Sequence, residues 1–380
     1  MRYELAKTAI FSPQSLTYKG FRANHQDLAL AFYENSMFSG DKWNVYKTQN
    51  ELYKHTRLVF NPVPLIVDFY IDNIWSKGTD NLVTPIDTAP NDLVLPAVGQ
   101  IDQWSNWRTA QVEVKRNTTI DGGCLVEVLD DVERGKVLHK VIKKELVTGL
   151  NLNVTNDIQS YAIEYEVREK DETYRFSKIV DKEKYQYFKD DKPFDYGQGA
   201  EVYHNFGFCP AVWFKHSTDN RSAFDDYSRL ADLNSLLSHL RDNIHKEIES
   251  AKLVGMDNPD TIEVLTGGSK SKDGSINQSD PRLERVLLAV KGSVSLADLS
   301  GDLKLNEAYP YAKDGILNYA DEYPEIEYKQ ILKNNGQLSG RALERLLTPA
   351  QNKLDRVSAL YDEQLIKLRQ MQLAIAGWRT

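Results

Sequence analysis

"ILKNNGQLSGRALERLL", Ile331 to Leu347, sets a short polar stretch, Lys333-Asn334-Asn335-Gly336-Gln337, between two segments with helical patterning. A turn between packed helices is usually brief and hidden by its flanks. This one is polar, contains a glycine, and gives way at Ser339-Gly340 to the longest amphipathic pattern in the chain. Leu343, Leu346, Leu347, Leu354, Val357, Tyr361, Leu365, Leu368 and Ile375 fall on one broad face of a helix predicted over Gly340 to Ala376. Pro349 is expected to kink it, because proline lacks an N–H and its ring crowds the preceding turn. Ser339 is suited to cap this helix, and Gly340 allows a neighbour to approach closely. The pattern predicts a hydrophilic tip held out from rigid rods.

Toward the N-terminus, a shorter helix precedes the tip, with Pro310 near its first turn and Pro324 just past its end. Before it, Lys252 to Ser300 reads as a small β-like, loop-rich unit containing "TGGSKSKDGSINQSDP". "SAFDDYSRLADLNSLLSHLRDNIHKEIES" predicts another helix. Ser222 is its expected N-cap, Asp225 and Asp226 lie in its first turn, and Leu230, Leu233, Leu237, Leu240 and Ile244 form one stripe. From about Val83 to His216 apolar and polar residues alternate among strong β formers, with turn signals at Asp121-Gly122-Gly123 and Arg134-Gly135. Charged outward positions predict one half-solvated antiparallel sheet, closed by "HNFGFCPAVWFKHS". The chain up to about Gly78 reads as helical, through "DLALAFYENSMFSG" and a helix broken around Pro62 and Pro64. The fold class expected is α+β.

The 380 residues suffice for a sizeable core and more than one structural unit. Net charge is -8, from 55 acidic against 47 basic residues. A protein that grips DNA through its phosphates carries a basic excess, so any nucleic-acid contact here must be local or loose. Two well-separated cysteines, Cys124 and Cys209, fit buried thiols in a reducing compartment. No signal peptide and no apolar run long enough to span a bilayer is read, so synthesis in the cytosol is expected.

Catalytic patterns are weak throughout. The seven histidines, His25, His55, His139, His204, His216, His239 and His245, never pair at i,i+4 around a glutamate, which removes a zincin-type site. They are expected to be surface or hydrogen-bonded histidines. "TGGSKSKDGS" lacks the Gly-Lys-Ser/Thr of a phosphate loop, and neither a G-x-S-x-G elbow nor a G-x-G-x-x-G turn is present. Asp130/Asp131 and Asp225/Asp226 are adjacent in sequence and cannot flank one bond as a glycosidase pair does. No catalytic residue, metal ligand or cofactor is assigned.

Four stretches follow one another across most of the chain: "LALAFYENSMF", "RLVFNPVPLIVDFYIDNIWSKG", "HNFGFCPAVWFKHSTDNRSAFDDYSRLADLNSLLSHLRDNIHKEIESAKLVG" and "NNGQLSGRALERLLTPAQNKLDRVSALYDEQL". In this order they resemble the portal, or head-to-tail connector, proteins of tailed bacteriophages. The second is similar to that family's "N…iVd…yl.G" segment and the third to its "G.iPvv.f…sd…li..lN.l.sd" passage. The last is similar to the "SG.AL" start of its long wing helix.

The resemblance implies a dodecameric ring of identical subunits around a channel for DNA packaging and ejection. It implies an α/β wing, a two-helix stem, a small α/β clip and a long kinked C-terminal wing helix. Residues 1–217 would be the wing, with a helical N-terminus and an antiparallel β-rich part. Residues 218–250 would be the first stem helix, 251–300 the clip, 301–324 the second stem helix, 325–338 the tunnel loop and 339–380 the wing helix. With the sequence reaching Thr380 soon after that helix, the family's crown domain is expected to be missing or vestigial. The tunnel loop, with Lys329, Lys333, Asn334, Asn335, Gly336 and Gln337, would face double-stranded DNA without reading its sequence. Ser339 and Gly340 would start the wing helix, and the stripe Leu230 to Ile244 would pack within and between subunits. Ser269, Lys270, Lys272 and Asp273 of the clip would meet partners. Those implied are the large terminase motor, then the head-tail adaptor, together with the major capsid and scaffolding proteins. No membrane is involved, and the location implied is the portal vertex of the virion, after assembly in the host cytoplasm. Two other readings stay open: another oligomeric tail or connector adaptor without a DNA channel, and a hydrolase with an unrecognised acidic site.

Overall fold

A computed structural model describes residues 16–18, 21–23, 25–37, 47–48, 52–76, 91–169, 172–195, 197, 199–249, 305–333 and 340–378. The chain is a mixture of helices and antiparallel sheet, as an α+β fold requires. A short hairpin, β1 (Leu16–Tyr18) and β2 (Phe21–Ala23), precedes α1 (His25–Tyr33). Next come α2 (Val63–Asn73), α3 (Asn91–Trp104) and α4 (Trp107–Asp121).

The strands number β3 (Gly123–Asp131), β4 (Lys136–Lys143), β5 (Val147–Leu152), β6 (Ile158–Glu169), β7 (Glu172–Val180), β8 (Lys184–Lys189), β9 (Lys192–Pro193), β10 (Glu201–Tyr203) and β11 (Ala211–Lys215). They form two sheets rather than the single one expected. The first has three strands in the order β11-β3-β4; the second has six, in the order β10-β8-β7-β6-β5 with β9 on β8. Helices α5 (Tyr227–Glu249), α6 (Leu305–Glu322), α7 (Pro324–Lys333) and α8 (Gly340–Trp378) complete the described chain.

The three-stranded sheet is the middle layer, and β3 shows why. Its first six residues are all buried. Side chains alternate across a strand, so Cys124, Val126 and Val128 point into the helical core while Leu125 points to the second sheet. A strand covered on both faces reads as a near-continuous apolar run, as "GCLVEV" does apart from Glu127. The helical core gathers Phe32, Ile66, Tyr70, Trp107, Phe214, Phe224, Leu230, Tyr361, Leu365 and Leu368. The inter-sheet core gathers Leu125, Ile142, Tyr161, Ile163, Val180 and Trp213. One charged pair lies there too: fully buried Glu127 accepts a hydrogen bond from Lys178 of β7.

Four local expectations need correction. The alternating texture read from Val83 is helical over α3 and α4. In α4 the β formers Val112, Val114, Thr118 and Thr119 disguise a helix whose buried Trp107, Ala110, Val114 and Thr118 repeat at helical spacing. The segment before Pro62 is not a helix. Leu52 to Pro62 runs irregularly along α5, which supplies hydrogen bonds through its side chains. Ser222 does not cap α5, which begins at Tyr227; its hydroxyl donates to the Phe224 carbonyl instead. The span expected to be tunnel loop from Glu325 is helical as far as Lys333. The long terminal helix occurs as expected and continues through Pro349 without a break.

Gly122 ends α4 with φ +81°, and a Cβ there would lie 2.2 Å from the Asn220 carbonyl oxygen. The position needs both left-handed backbone and the absence of a side chain. Gly122→Ala is expected to destabilise the fold by about 2–4 kcal/mol in urea unfolding. Gly99, inside α3, is the control, since a Cβ added there would meet nothing within 4 Å. Gly99→Ala is expected to be neutral or to stabilise by up to about 1 kcal/mol.

Candidate functional site

Helices α5 and α6 pair antiparallel. Arg229, near the start of α5, donates to both carboxylate oxygens of Glu322, at the end of α6, at 2.9 Å. At the other end, Leu240 and Ile244 of α5 share a groove with Tyr309 and Ala312 of α6. The helices come close at Gly315, where a Cβ would lie 3.0 Å from Leu233 Cδ1.

Burial falls off along this pair. Leu230, Leu233 and Leu240 are 0, 8 and 9% exposed, and Ile244 is 43% exposed. On the returning helix Tyr309 and Tyr311 are 67 and 71% exposed and Tyr319 only 1%, while Ala312 stays buried at 2% and Leu317 is 49% exposed. The two helices thus leave the body together as a stalk. Of the expected packing stripe, Leu230 is spent on the chain's own core and has no surface left for a neighbouring subunit. Leu237 is half-buried, so the open part of the stripe is its far end.

The near end is fixed by polar groups that the leucine stripe overshadowed in the sequence. Asn234 is fully buried. Its Oδ1 accepts the N–H groups of Val59 and Phe60 at 2.7 and 2.9 Å, and its Nδ2 donates to the carbonyls of Phe60 and Leu230 at 2.8 and 2.9 Å. Ser238 accepts the Arg57 N–H at 2.8 Å, and Ser235 accepts that of Tyr53 at 3.3 Å. The irregular segment before α2 therefore takes its backbone partners from helix side chains, as buried amides must. The signal was available: Asn234 and Ser238 are small polar residues interrupting an apolar helix face.

Helix α7 leads to the polar tip, and its base is anchored in the helical core. Pro324 stands at its first position, and Glu325 and Glu327 lie in its first turn, where the helix dipole favours them. Glu325 is fully buried. Its Oε1 accepts a hydrogen bond from the Tyr70 hydroxyl of α2 at 2.6 Å and from Lys353 Nζ of α8 at 2.8 Å. Burial, and then the adjacent Glu325 carboxylate, push the Tyr70 hydroxyl far above its ordinary pKa, so it remains a donor. Tyr328 packs edge-on against Phe69, with centroids 4.9 Å apart. Glu325 therefore belongs to the core and not to a channel surface.

Helix α8 returns across the helical core. Its Gln364 side chain accepts the Lys215 N–H of β11 at 3.1 Å, and Asp362 accepts the Trp75 indole N–H at 2.9 Å. Buried Arg369 pairs with Asp102 of α3 at 3.0 Å, and Gln372 donates to His139 Nε2. Of the expected tunnel-loop residues, Lys329 and Lys333 are residues of α7, and Gly340 opens α8. Asn334, Asn335, Gly336, Gln337 and Ser339 lie outside the described residues, as do Ser269, Lys270, Lys272 and Asp273 of the expected clip.

The far end of the stalk carries a groove of about 320 Å³, lined by Leu237, Leu240, Ile244, Tyr309, Ile316 and Leu317, with Arg241, His245 and Lys313 on its rim. Among the described residues, no cluster of three or more His, Cys, Asp or Glu side chains is arranged to hold a metal ion. No described helix is long and apolar enough to cross a membrane. Cys124 and Cys209 are buried free thiols. No family model matches the sequence, and no curated protein matches it.

Two histidines lie in the core: His139 is hydrogen-bonded to Asn106 and Gln372, one of the two expected settings, whereas buried His216 packs edge-on against Tyr70. Burial lowers His139 to about 4 and His216 to about 3. Each is neutral in the folded chain and protonates readily in the unfolded one. The stability they contribute is complete above their ordinary value of 6.5 and is lost as pH falls toward those folded values. Asp121 acts in the opposite sense: burial lifts its carboxyl to about 7, so its share is lost as pH rises through that value. His216→Phe is expected to reduce the loss of stability between pH 7 and pH 5 by about 1–2 kcal/mol, read from urea midpoints at the two pH values. Lys353→Ala, which leaves the buried Glu325 carboxylate with Tyr70 alone, is expected to cost about 2–3 kcal/mol by the same measurement at pH 7.

Proposed function

We propose that this chain is the subunit of a ring-shaped channel protein of the phage portal type, acting as a conduit for double-stranded DNA and as a docking platform, without catalysis of its own. The observation that carries this reading is the stalk: two antiparallel helices that leave a mixed α/β body and lose burial with distance from it. Such a stalk gains stability when neighbours cover its exposed apolar residues.

The order of elements fits the same reading. A wing-like body leads into the outgoing helix, and residues 250–304 separate it from the returning one. Helix α7 then leads in sequence to the polar stretch ending at Gln337, and α8 comes back over the body. The Glu325 anchor gives those polar residues a rigid base, which a tip presented to a moving duplex needs. Net charge of -8 suits a conduit. A basic wall would hold phosphates with strong, salt-sensitive affinity, whereas an acidic or neutral one lets the duplex slide. Residues 251–300 would then be the clip that meets the terminase motor and later the head-tail adaptor, and the ring would be a dodecamer.

Light scattering after size exclusion, followed by negative-stain imaging of the purified chain, tests the reading. The expected result is an annulus of many subunits with a central hole and the stalks grouped around it. Compact single subunits, or a closed dimer, would overturn it.

A further inference from the structure

We propose that the basic-rimmed groove on the stalk is the seat for the acidic face of α6 from a second copy of this chain, so that each subunit offers one face and receives the other. This rests on the ring reading above and specifies how neighbouring stalks engage.

The groove combines exposed apolar surface with unmatched positive charge. Ile244, Tyr309 and Leu317 are 43, 67 and 49% exposed; Ile244 and Tyr309 lie in the half of the stalk remote from the body, and Leu317 lies between Gly315 and the body. Arg241 and Lys313 on its rim form no ion pair with any described carboxylate. An apolar floor with a cationic rim calls for a partner that is part apolar and part acidic.

The other side of α6 has that chemistry. Tyr311, Asp314 and Asn318 follow one another at helical spacing and are all exposed, Tyr311 by 71%; Asp321 extends the stripe toward the body. Neither Asp314 nor Asp321 pairs with a described cation, whereas Glu322 is already held by Arg229. The chain thus carries uncompensated positive charge on one flank of the stalk and uncompensated negative charge on the other. The two cannot meet within one molecule, because they lie on roughly opposite sides of the same helix. Between molecules they can.

The arrangement also selects the symmetry. Joining two different patches gives a heterologous contact, which propagates around a ring. A two-fold dimer through the groove would set Arg241 and Lys313 against their own copies, an arrangement disfavoured by like charge. Asp314 follows Lys313 directly in sequence, so the faces lie at the same height and stalks can engage side by side with little axial slide.

Cysteine cross-linking of the whole chain reads this directly. Cys124 and Cys209 are buried, so thiols introduced by Lys313→Cys together with Asn318→Cys are the accessible ones. The two positions are on opposite sides of one helix and cannot pair within a chain. Mild oxidation of this double variant is expected to give a ladder of covalent multimers on a denaturing gel, while each single variant stops at dimers. A wild-type annulus combined with a double variant that yields no ladder would overturn the seat and leave the ring reading standing. A wild-type chain of single subunits would overturn both.

Charge exchange provides the second arm. Arg241→Glu with Lys313→Glu is expected to lower the assembled fraction about tenfold at fixed protein concentration. Adding Asp314→Lys and Asp321→Lys to the same chain is expected to restore it, since both flanks then carry reversed signs. Assembly unaffected by the first pair, or unrestored by the second in a chain with native circular dichroism, would count against the seat.

Discussion

The fold turns on a carboxylate with no access to water. Glu325 is fully buried, and a lone charge in that position would be strongly disfavoured. Tyr70 from α2 and Lys353 from α8 compensate it, and neither can leave without exposing the interior to an unbalanced charge. One side chain thereby ties together three helices from distant parts of the sequence. Its own helix continues directly from the stalk and leads to the polar residues beyond Lys333. The approach to the tip is therefore tied to the body at this one buried carboxylate.

A second constraint acts on the other side of the stalk root. The irregular segment that reaches α2 has no strand or helix to satisfy its backbone, and Asn234, Ser235 and Ser238 take on that task. Because these residues interrupt the apolar face of α5, the helix packs against the body through hydrogen bonds as well as leucines. Such contacts are directional, so they define the angle at which the stalk departs more closely than apolar packing alone.

Much of this was legible from residue patterns. The strong 3.6-residue period of α8 and the leucine stripe of α5 are long enough for the helical signal to dominate. Strand β4 alternates plainly, and Gly135 marks the turn before it at φ +63°. Other parts were hidden for identifiable reasons. Helix α4 is rich in β-branched residues, and only the burial of Trp107, Ala110, Val114 and Thr118 reveals its face. The division into two sheets depends on β11 crossing back to pair with β3, a long-range choice that local alternation does not encode. Glu325 looked like loop polarity because a buried charge is recognisable only from its partners, which lie 255 and 28 positions away in sequence.

The ion pair between Glu127 and Lys178 bears on how the layered body comes apart. One member belongs to the middle sheet and the other to the outer one, and both sit in an apolar gap. Lifting the outer sheet slightly would part the charges before water could reach either. Partial peeling is thus penalised more than complete separation. The layers should behave as one cooperative block, with no stable half-opened form through which the six-stranded sheet could offer its inner strands to another chain.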